Sequence, residues 1–565
     1  MGARSLGVFS AVFSTVAATV AVAGLGASPA GAVSTDQSYW VPVDKRVEVR
    51  GHGYGHGHGM SQYGAQGAAL KGKSYQEIVE FYYPGTAWSK MRGRVRVLIS
   101  SDTSPDVLVS PAAGLSVRDL GSRKKYDLPE IEGVRRWRLQ VADGETVVGY
   151  LTNRWHRYEP GGLPALAGDG EFLASEPITL WTPSGSGTYR GTLRLSSPSP
   201  GSSSRDTVNV VSMDQYVMGV VPYEMPASWH PEAVRAQAVA ARTYATWSRN
   251  QNKRGHYQIC DTTACQVYGG VDGEDPRSNA AVQATRRQIL TYDGKPAFTQ
   301  FSSSSGGWTS AGSVPYLPAK EDPYDGWSGN PVHSWSVTID AGHFERSHPS
   351  LGTLRRILVV NRDGNGDWQG RVNSVVLDGT QGDVTISGDD FRWAFGLRSS
   401  WFTIEPTPII SRWTRIGGTK SPLGRVQSKE YRVEDGAAQV FARGRIFYSA
   451  ETGARELYGR ILGRYRAMGG PKSALGMPRT AIQVRAPGRR ALFEDGAIFS
   501  RRRTGAVPLL GKIAERYLRI GAEESSLGWP VRGHRPTRNG QDVAFQNGYL
   551  SWNQETGRTR IWPRR

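Results

Sequence analysis

Three pairs or single residues near the end of this 565-residue chain recur at one spacing, 52 residues. Leu423-Gly424, Leu475-Gly476 and Leu527-Gly528 form one set, and Phe441, Phe493 and Phe545 form the second. Thr452-Gly453, Thr504-Gly505 and Thr556-Gly557 form the third. A fixed period of this length marks stacked supersecondary units, each burying its apolar face only against its neighbours. Residues 412–565 are therefore read as three repeats. Each holds a GG-x-x-S-x-LG-x-P loop or variant and a short strand pair near the recurring Phe, and LYGRILGRYRAMG and LLGKIAERYLRIG read as joining helices. The repeats contain no histidine–carboxylate cluster. Their recurring aromatic and arginine side chains suit binding or anchoring to carbohydrate or envelope material, a structural spacer being the plain alternative.

The chain is too long for one core. Residues 1–32 read as a secretory signal peptide: Arg4, an apolar run to Val22, then the small-residue cleavage site Ala30-Gly31-Ala32. No later segment offers about 20 uninterrupted apolar residues. A secreted, cell-wall- or envelope-associated protein is expected. Its 69 Lys and Arg against 50 Asp and Glu give a net charge of +19, or +18 once Arg4 leaves with the signal. Such charge steers a protein to anionic surfaces; export argues for an acidic wall polymer or lipid and against nucleic acid. Solubility alone is the bland explanation. Two cysteines, Cys260 and Cys265, exclude a disulfide-dense framework.

Residues 33–408 read as one mixed, β-rich α+β domain, with its boundary to the repeats near 405–412. VEVRG suggests a strand before the 36-residue block 51–86, GHGYGHGHGMSQYGAQGAALKGKSYQEIVEFYYPGT. Residues 74–82 read as a helix stopped by Pro84-Gly85. Apolar–polar alternation in RVRVLIS, RRWRLQV, EPITLW and GTLRLS predicts strands between 95 and 211, including a β-rich insert over about 92–180. PSPGSSS at 198–204 reads as a loop. A long helix follows Ser228, its presumed cap, with Ala233, Ala236, Gln237, Ala240 and Tyr244 on one side. A second helix is expected over 279–285, with strands at 288–300 and 335–402.

Glu224 falls between a strand-like run at 216–221 and that long helix. Val220, Val221, Met225 and Pro226 flank it, and burial raises a carboxyl pKa and prepares it to donate a proton. A salt bridge to Arg235 or Arg242 is the plain alternative. His256, Cys260 and Cys265 could supply three zinc ligands; a Cys260–Cys265 disulfide closing a small loop, or paired thiols, are the other readings. In the glycine block, repeated Gly allows close backbone approach or positive φ. His52, His56 and His58 could contact sugar, tune Glu224 or bind metal, though no acid or cysteine accompanies them.

Several motifs resemble the SpoIID/LytB domain together. They are YVxGVVPxEMP at 216–226 with Trp229, AQAVAARTY at 236–244, CDTT and CQVY at 260–268, FSSSSGG at 301–307 and GLRSS at 396–400. With the glycine block, the resemblance spans about 45–405. The repeats resemble the LGFP repeats of actinobacterial envelope proteins, although LGR, LGMP and LGWP replace the namesake. The resemblance implies a peptidoglycan lytic transglycosylase, a carbon–oxygen lyase, with Glu224 as its catalytic acid. His56, His58, Ser61 and Gln62 would line the glycan cleft, with Tyr223, Gln237, Arg242 and Ser303 orienting substrate. Glycan strands and, through the repeats, an envelope polymer are the implied partners. The alternatives are a non-catalytic enhancer of a partner amidase or a structural envelope protein. The family's zinc histidine before the second cysteine is Ala264 here, so no cofactor is expected. The glycine block normally follows the GLRSS-like motif, and here it precedes it by over 300 residues. A circular permutation is expected, packing residues 51–86 against 396–404 and turning the histidines towards Glu224.

Overall fold

The computed structural model describes residues 33–199 and 201–563; the expected signal peptide lies outside them. Strand makes up 37% and helix 22%, so the β-rich α+β reading holds. No helix among the described residues is long and apolar enough to cross a membrane.

Two cores underlie residues 33–408. The larger gathers helices α1 (Gln62–Leu70), α2 (Tyr75–Tyr82), α3 (Met213–Met218), α4 (Val221–Glu224), α5 (Pro231–Gln251) and α6 (Pro276–Ala284) with seven- and six-stranded sheets. Both sheets are built mainly from antiparallel strands between 94 and 212; Ile259–Cys260 adds a parallel edge strand beside Arg94–Leu98. Helix α5 runs through this core, against α1, α2, α3, α6 and the strand Gln288–Tyr292. Its alanines at 233, 236, 238, 240, 241 and 245 are fully buried, as a helix enclosed on every side requires. Pro231 opens it, where a missing N–H leaves no bond unmade. The cap is His230, whose Nδ1 accepts the Glu232 N–H at 3.3 Å, and not Ser228.

One further expectation changes. The apolar run at 216–221 is helical: Ser212 Oγ caps α3 by accepting the Gln215 N–H at 3.4 Å, and α4 follows at once. A short apolar run cannot tell a buried strand from a buried helix by period alone. Residues 62–70, within the glycine block and assigned no element from the sequence, form α1. Its glycines serve close packing: a Cβ at Gly64 would lie 2.0 Å from the Tyr82 hydroxyl, and one at Gly67 2.0 Å from the Tyr324 carbonyl.

The smaller core joins the two ends of this region. Phe344, Ile357, Phe391 and Phe402 lie at its centre. It is formed by the four-stranded sheet Val33–Trp40, Leu354–Arg362, Val372–Gly379 and Asp383–Ser387 and the three-stranded sheet Ser334–Asp340, Arg46–His52 and Phe402–Ile404. Residues 53–59 cross from the second of these sheets to buried Met60 in the larger core, where Met60–Ser61 pairs in parallel with Phe301–Ser302.

Beyond residue 408 a helix and a four-stranded antiparallel sheet alternate three times, the helices being Pro408–Arg415, Gly459–Ala467 and Gly511–Arg519. The 52-residue landmarks meet across each unit. Trp413 Nε1, Tyr465 Oη and Tyr517 Oη donate to the carbonyls of Gly424, Gly476 and Gly528 at 2.8, 2.6 and 2.6 Å. The same rings face Phe441, Phe493 and Phe545 at 6.0, 4.7 and 4.5 Å. Phe447 of one unit shares a core with Phe493 of the next, which is how a repeat too small for its own core is stabilised.

Candidate active site around Glu224

Glu224 ends α4 between two buried anchors, Val221 and Met225. These fix the backbone and leave the carboxyl facing a cleft of about 250 Å³. His56, Tyr244, Gln300, Phe301 and residues 263–265 form the other walls. Among the lining residues Glu224 is the one carboxyl. Its Oε1 accepts the Val267 N–H at 3.0 Å. Desolvation raises its pKa above the ordinary glutamate value, against the opposing pull of the Val267 N–H and the Gln62 side chain. The acid therefore holds its proton to higher pH than an exposed glutamate does. Neither Arg235 nor Arg242 pairs with it: Arg235 contacts Glu232, and Arg242 bonds Asp214.

The glycine block supplies the facing wall. Gly53, Gly55, Gly57 and Gly59 all have positive φ. At Gly57 the need is twofold, since φ is +77° and a Cβ would lie 2.2 Å from Arg371 Nη2. This path puts His56 on the cleft. Its Nδ1 accepts the His58 N–H at 2.9 Å, which places the ring proton on Nε2. Solvent reaches the ring along the cleft, but protein crowds its other sides. Desolvation first, then the positive charges of His58, Arg371 and Arg392, push its pKa down to about 3. His56 is thus a neutral donor beside the acid. His58 stacks on it at 4.9 Å, with its own Nδ1 3.3 Å from the Ser310 carbonyl, and its pKa is also lowered by burial. His52 lies apart, stacked on Trp368 at 4.7 Å.

The block also closes against the far end of the domain. Gly55 N donates to Arg398 O at 2.9 Å, Ser399 Oγ to His52 O at 2.5 Å, and Arg46–His52 pairs with Phe402–Ile404.

The other expected site residues separate. Gln62 is buried against Glu224. Ser61 does not line the cleft: its Oγ accepts the Gly64 N–H at 2.9 Å as the α1 cap and donates to Asp325 at 2.6 Å. Arg242 is a structural anchor, fully buried on another side of α5, with Nε on Asp214 at 2.8 Å and Nη atoms on carbonyls of Ala238, Val282 and Gln288. Tyr223 is about half exposed and packs over Gly269 and Gly273 rather than in the cleft. Ser303 accepts the Tyr63 N–H through its backbone carbonyl at 2.9 Å. Gln237 lies two turns before Tyr244 on the same side of α5, fully buried, its amide atoms without a hydrogen-bond partner among the described residues.

The zinc set is not assembled. Cys260 and Cys265 form a disulfide with Cα atoms 5.5 Å apart, and His256 Nε2 is paired with Asp206 at 2.6 Å. With both sulfurs bonded to each other, the three residues do not suit a metal. The disulfide instead closes the loop that walls the cleft, two residues before the Val267 N–H that holds Glu224.

Beneath the cleft, sequence reading missed a buried polar network. Asp325 accepts from Ser61, Ser304, Asn330 and the N–H groups of Ser305 and Gly306, and its Oδ2 lies 2.9 Å from His333 Nδ1. Asp322 accepts from the Tyr82 hydroxyl and Ser305 Oγ, both at 2.8 Å. Desolvation, then the charge of Asp325, raises the Asp322 pKa to about 6. This network ties the serine–glycine loop to the α1 cap. The doublet of acids in EDPYDGW was its only local signal.

Comparison with known proteins fits this arrangement. Residues 202–292 match the SpoIID family, described as stage II sporulation protein, and residues 423–473 and 475–525 match the LGFP repeat. The amidase enhancer of Bacillus subtilis (strain 168) is 42% identical over 127 residues, covering 21% of this chain and 16% of that protein. Stage II sporulation protein D of Bacillus amyloliquefaciens is 31% identical over 245 residues, 38% of this chain and 64% of that one. The chain thus spans less than two thirds of the length of either relative. Residues 202–292, which contain Glu224, thus carry the SpoIID match, the glycine block outside that match supplies the facing wall of the cleft, and LGFP repeats follow.

Proposed function

We propose that the protein is an exported peptidoglycan lytic transglycosylase held in the cell envelope by its repeats. Glu224 in its neutral form protonates the oxygen joining N-acetylmuramic acid C1 to the next N-acetylglucosamine. The C1–O bond breaks to an oxocarbenium-like centre. The Glu224 carboxylate then takes the proton of the muramyl C6 hydroxyl as O6 closes on C1, leaving a 1,6-anhydromuramyl end and consuming no water. Neutral His56 can donate from Nε2 to a sugar oxygen without adding a positive charge beside the cation.

The observation that carries this reading is the solitary, desolvated carboxyl in the cleft. Hydrolysis by the usual glycosidase routes uses two carboxyls about 5–9.5 Å apart; internal attack by the C6 hydroxyl uses one. The glycine block's closure on residues 398–404 supports a circularly permuted but complete domain. The test is mass spectrometry of products from purified, peptide-denuded peptidoglycan. Anhydromuramyl products from wild type and none from Glu224→Gln are expected. Reducing ends, or equal products from both proteins, would overturn the reading.

The similarity to an amidase enhancer favours a second reading, glycan binding that stimulates a separate amidase. That reading requires Glu224→Gln to stimulate amidase digestion of walls as well as wild type does.

A further inference from the structure

The positive charge is confined to one part of the chain. Residues 1–411 hold 39 Lys and Arg against 38 Asp and Glu, whereas residues 412–565 hold 30 against 12. Within the repeats, four of these 30 cations line one groove. Between the strands and helix of the second unit lies a cavity of about 480 Å³, lined by Arg460, Arg489, Arg501 and Arg502 with Tyr458 and Val484 among its apolar walls. No carboxylate lines it, and none of the four arginines is within ion-pair distance of one among the described residues. Neighbouring arginines behave differently: Arg479 pairs with Glu451, and Arg485 and Arg490 with Glu523. Arg460 donates to the carbonyls of Arg501 and Arg502 at 3.2 Å, holding three of the groove's charges together although like charges repel.

The repeat scaffold does not demand this arrangement. One period earlier the four positions are Pro408, Ala437, Ser449 and Ala450; one period later they are Lys512, Gln541, Asn553 and Gln554. The equivalent groove of the first unit faces residues 40–48, and six carboxylates line it against two arginines, Arg46 and Arg432: Glu430, Glu434 and Asp435 from the repeat, and Asp44, Glu48 and Glu405 from the preceding lobe. The same fold thus presents an acidic groove against its own lobe and a basic groove one unit further on.

We propose that the second-repeat groove binds a polyanionic wall glycopolymer, a chain of sugars or polyols bearing repeated phosphate or carboxylate groups. Guanidinium groups recognise both anions through paired N–H donors. A concave groove with Val484 exposed and a half-buried Tyr458 beneath Arg489, 5.7 Å from its ring centroid, accommodates a narrow chain with a ring or polyol face, rather than a flat lipid surface. The assignment rests on the repeats being the envelope-facing arm, and not on cleavage at Glu224.

The test uses the full chain with fluorescent polyglycerol phosphate and polygalacturonate, with neutral dextran and duplex DNA of similar length as comparisons. Both anionic glycopolymers are expected to bind and dextran not to; the tighter of the two identifies phosphate or carboxylate as the preferred group. Wild-type affinity should fall at least about tenfold between 0.05 and 0.5 M salt. Replacing Arg460, Arg489, Arg501 and Arg502 together by Gln should weaken binding at least about tenfold. Replacing the exposed Arg415, Arg425, Arg464 and Arg466 by Gln removes the same charge outside the groove and should change it less than about threefold. Equal losses in the two variants, salt-independent wild-type binding, dextran binding as tight, or tighter binding of DNA would each overturn the proposal. Should the groove variant misfold, the wild-type salt series and probe comparison still decide. Release of anhydromuramyl products from soluble glycan, measured in parallel, reports separately on Glu224.

Discussion

The SpoIID lobe and the repeat arm use charge in opposite ways. In the lobe, acids and bases nearly balance and many are enclosed: Arg242 against Asp214, Asp322 and Asp325 in their network, Glu224 in its cleft. Enclosure alters proton affinity, which is what acid–base chemistry needs. In the arm, four arginines line a surface groove without carboxylate partners among the described residues. Charges placed this way are free to act on a ligand and are screened by salt. In the proposed roles, one region tunes a proton and the other attracts a chain.

That contrast can be broken by separating the two activities. Glu224→Gln should lower glycan cleavage by about 10²–10⁴-fold while leaving polyanion binding unchanged, as product analysis and fluorescence binding would show. If binding falls in step, the regions are not independent. Replacing Cys260 and Cys265 by Ser frees the loop that carries the Glu224 partner. It should reduce stability by about 2 kcal/mol in urea unfolding and lower cleavage, again without touching the arm. The groove variant should do the converse: about tenfold weaker polyanion binding with unaltered cleavage of short soluble glycans.

Smaller effects sharpen the comparison within the lobe. Ser61→Ala removes both the α1 cap and a donor to Asp325, and should cost about 1 kcal/mol or somewhat more in urea unfolding. Its activity loss should follow unfolding, because Ser61 does not reach the cleft. The pH profile tests the tuning of Glu224 directly. The working acid must be protonated, and its folded pKa is raised, so activity persists above the ordinary glutamate range and falls as pH rises through that raised value. Gln62→Ala removes a side chain that holds the pKa down, so the alkaline limb should move to higher pH. A limb that stays still would detach Gln62 from the acid. Across pH 5–7 the His56 ring should stay neutral with its proton on Nε2 by nitrogen NMR, since its pKa lies near 3.

Much of this was legible locally. The 52-residue period announced the stacked units, because each Leu-Gly turn and recurring Phe must meet the aromatic ring of its own unit's helix. Flanking Val and Met residues made Glu224 a candidate for desolvation, and Ser74 and Glu77 form a capping box at the helix expected there. What misled was also local. The run at 216–221 is apolar enough for strand or helix, and glycines at 64 and 67, which admit close neighbours, gave no sign of the helix they lie in.

By itself the sequence determined the repeat architecture and the family motifs, and it singled out Glu224 as a candidate, since period, turn chemistry and motif spacing lie among neighbouring residues. Only the tertiary structure decided what each polar side chain does. Ser61 finds Asp325 across 264 positions, Gly55 meets Arg398, and His56 comes to the cleft of Glu224. It also placed one repeat groove against the lobe and left the arginines of another without carboxylate partners among the described residues. Desolvation and charge pairing depend on atoms that folding brings from distant parts of the chain, so no local pattern can carry them.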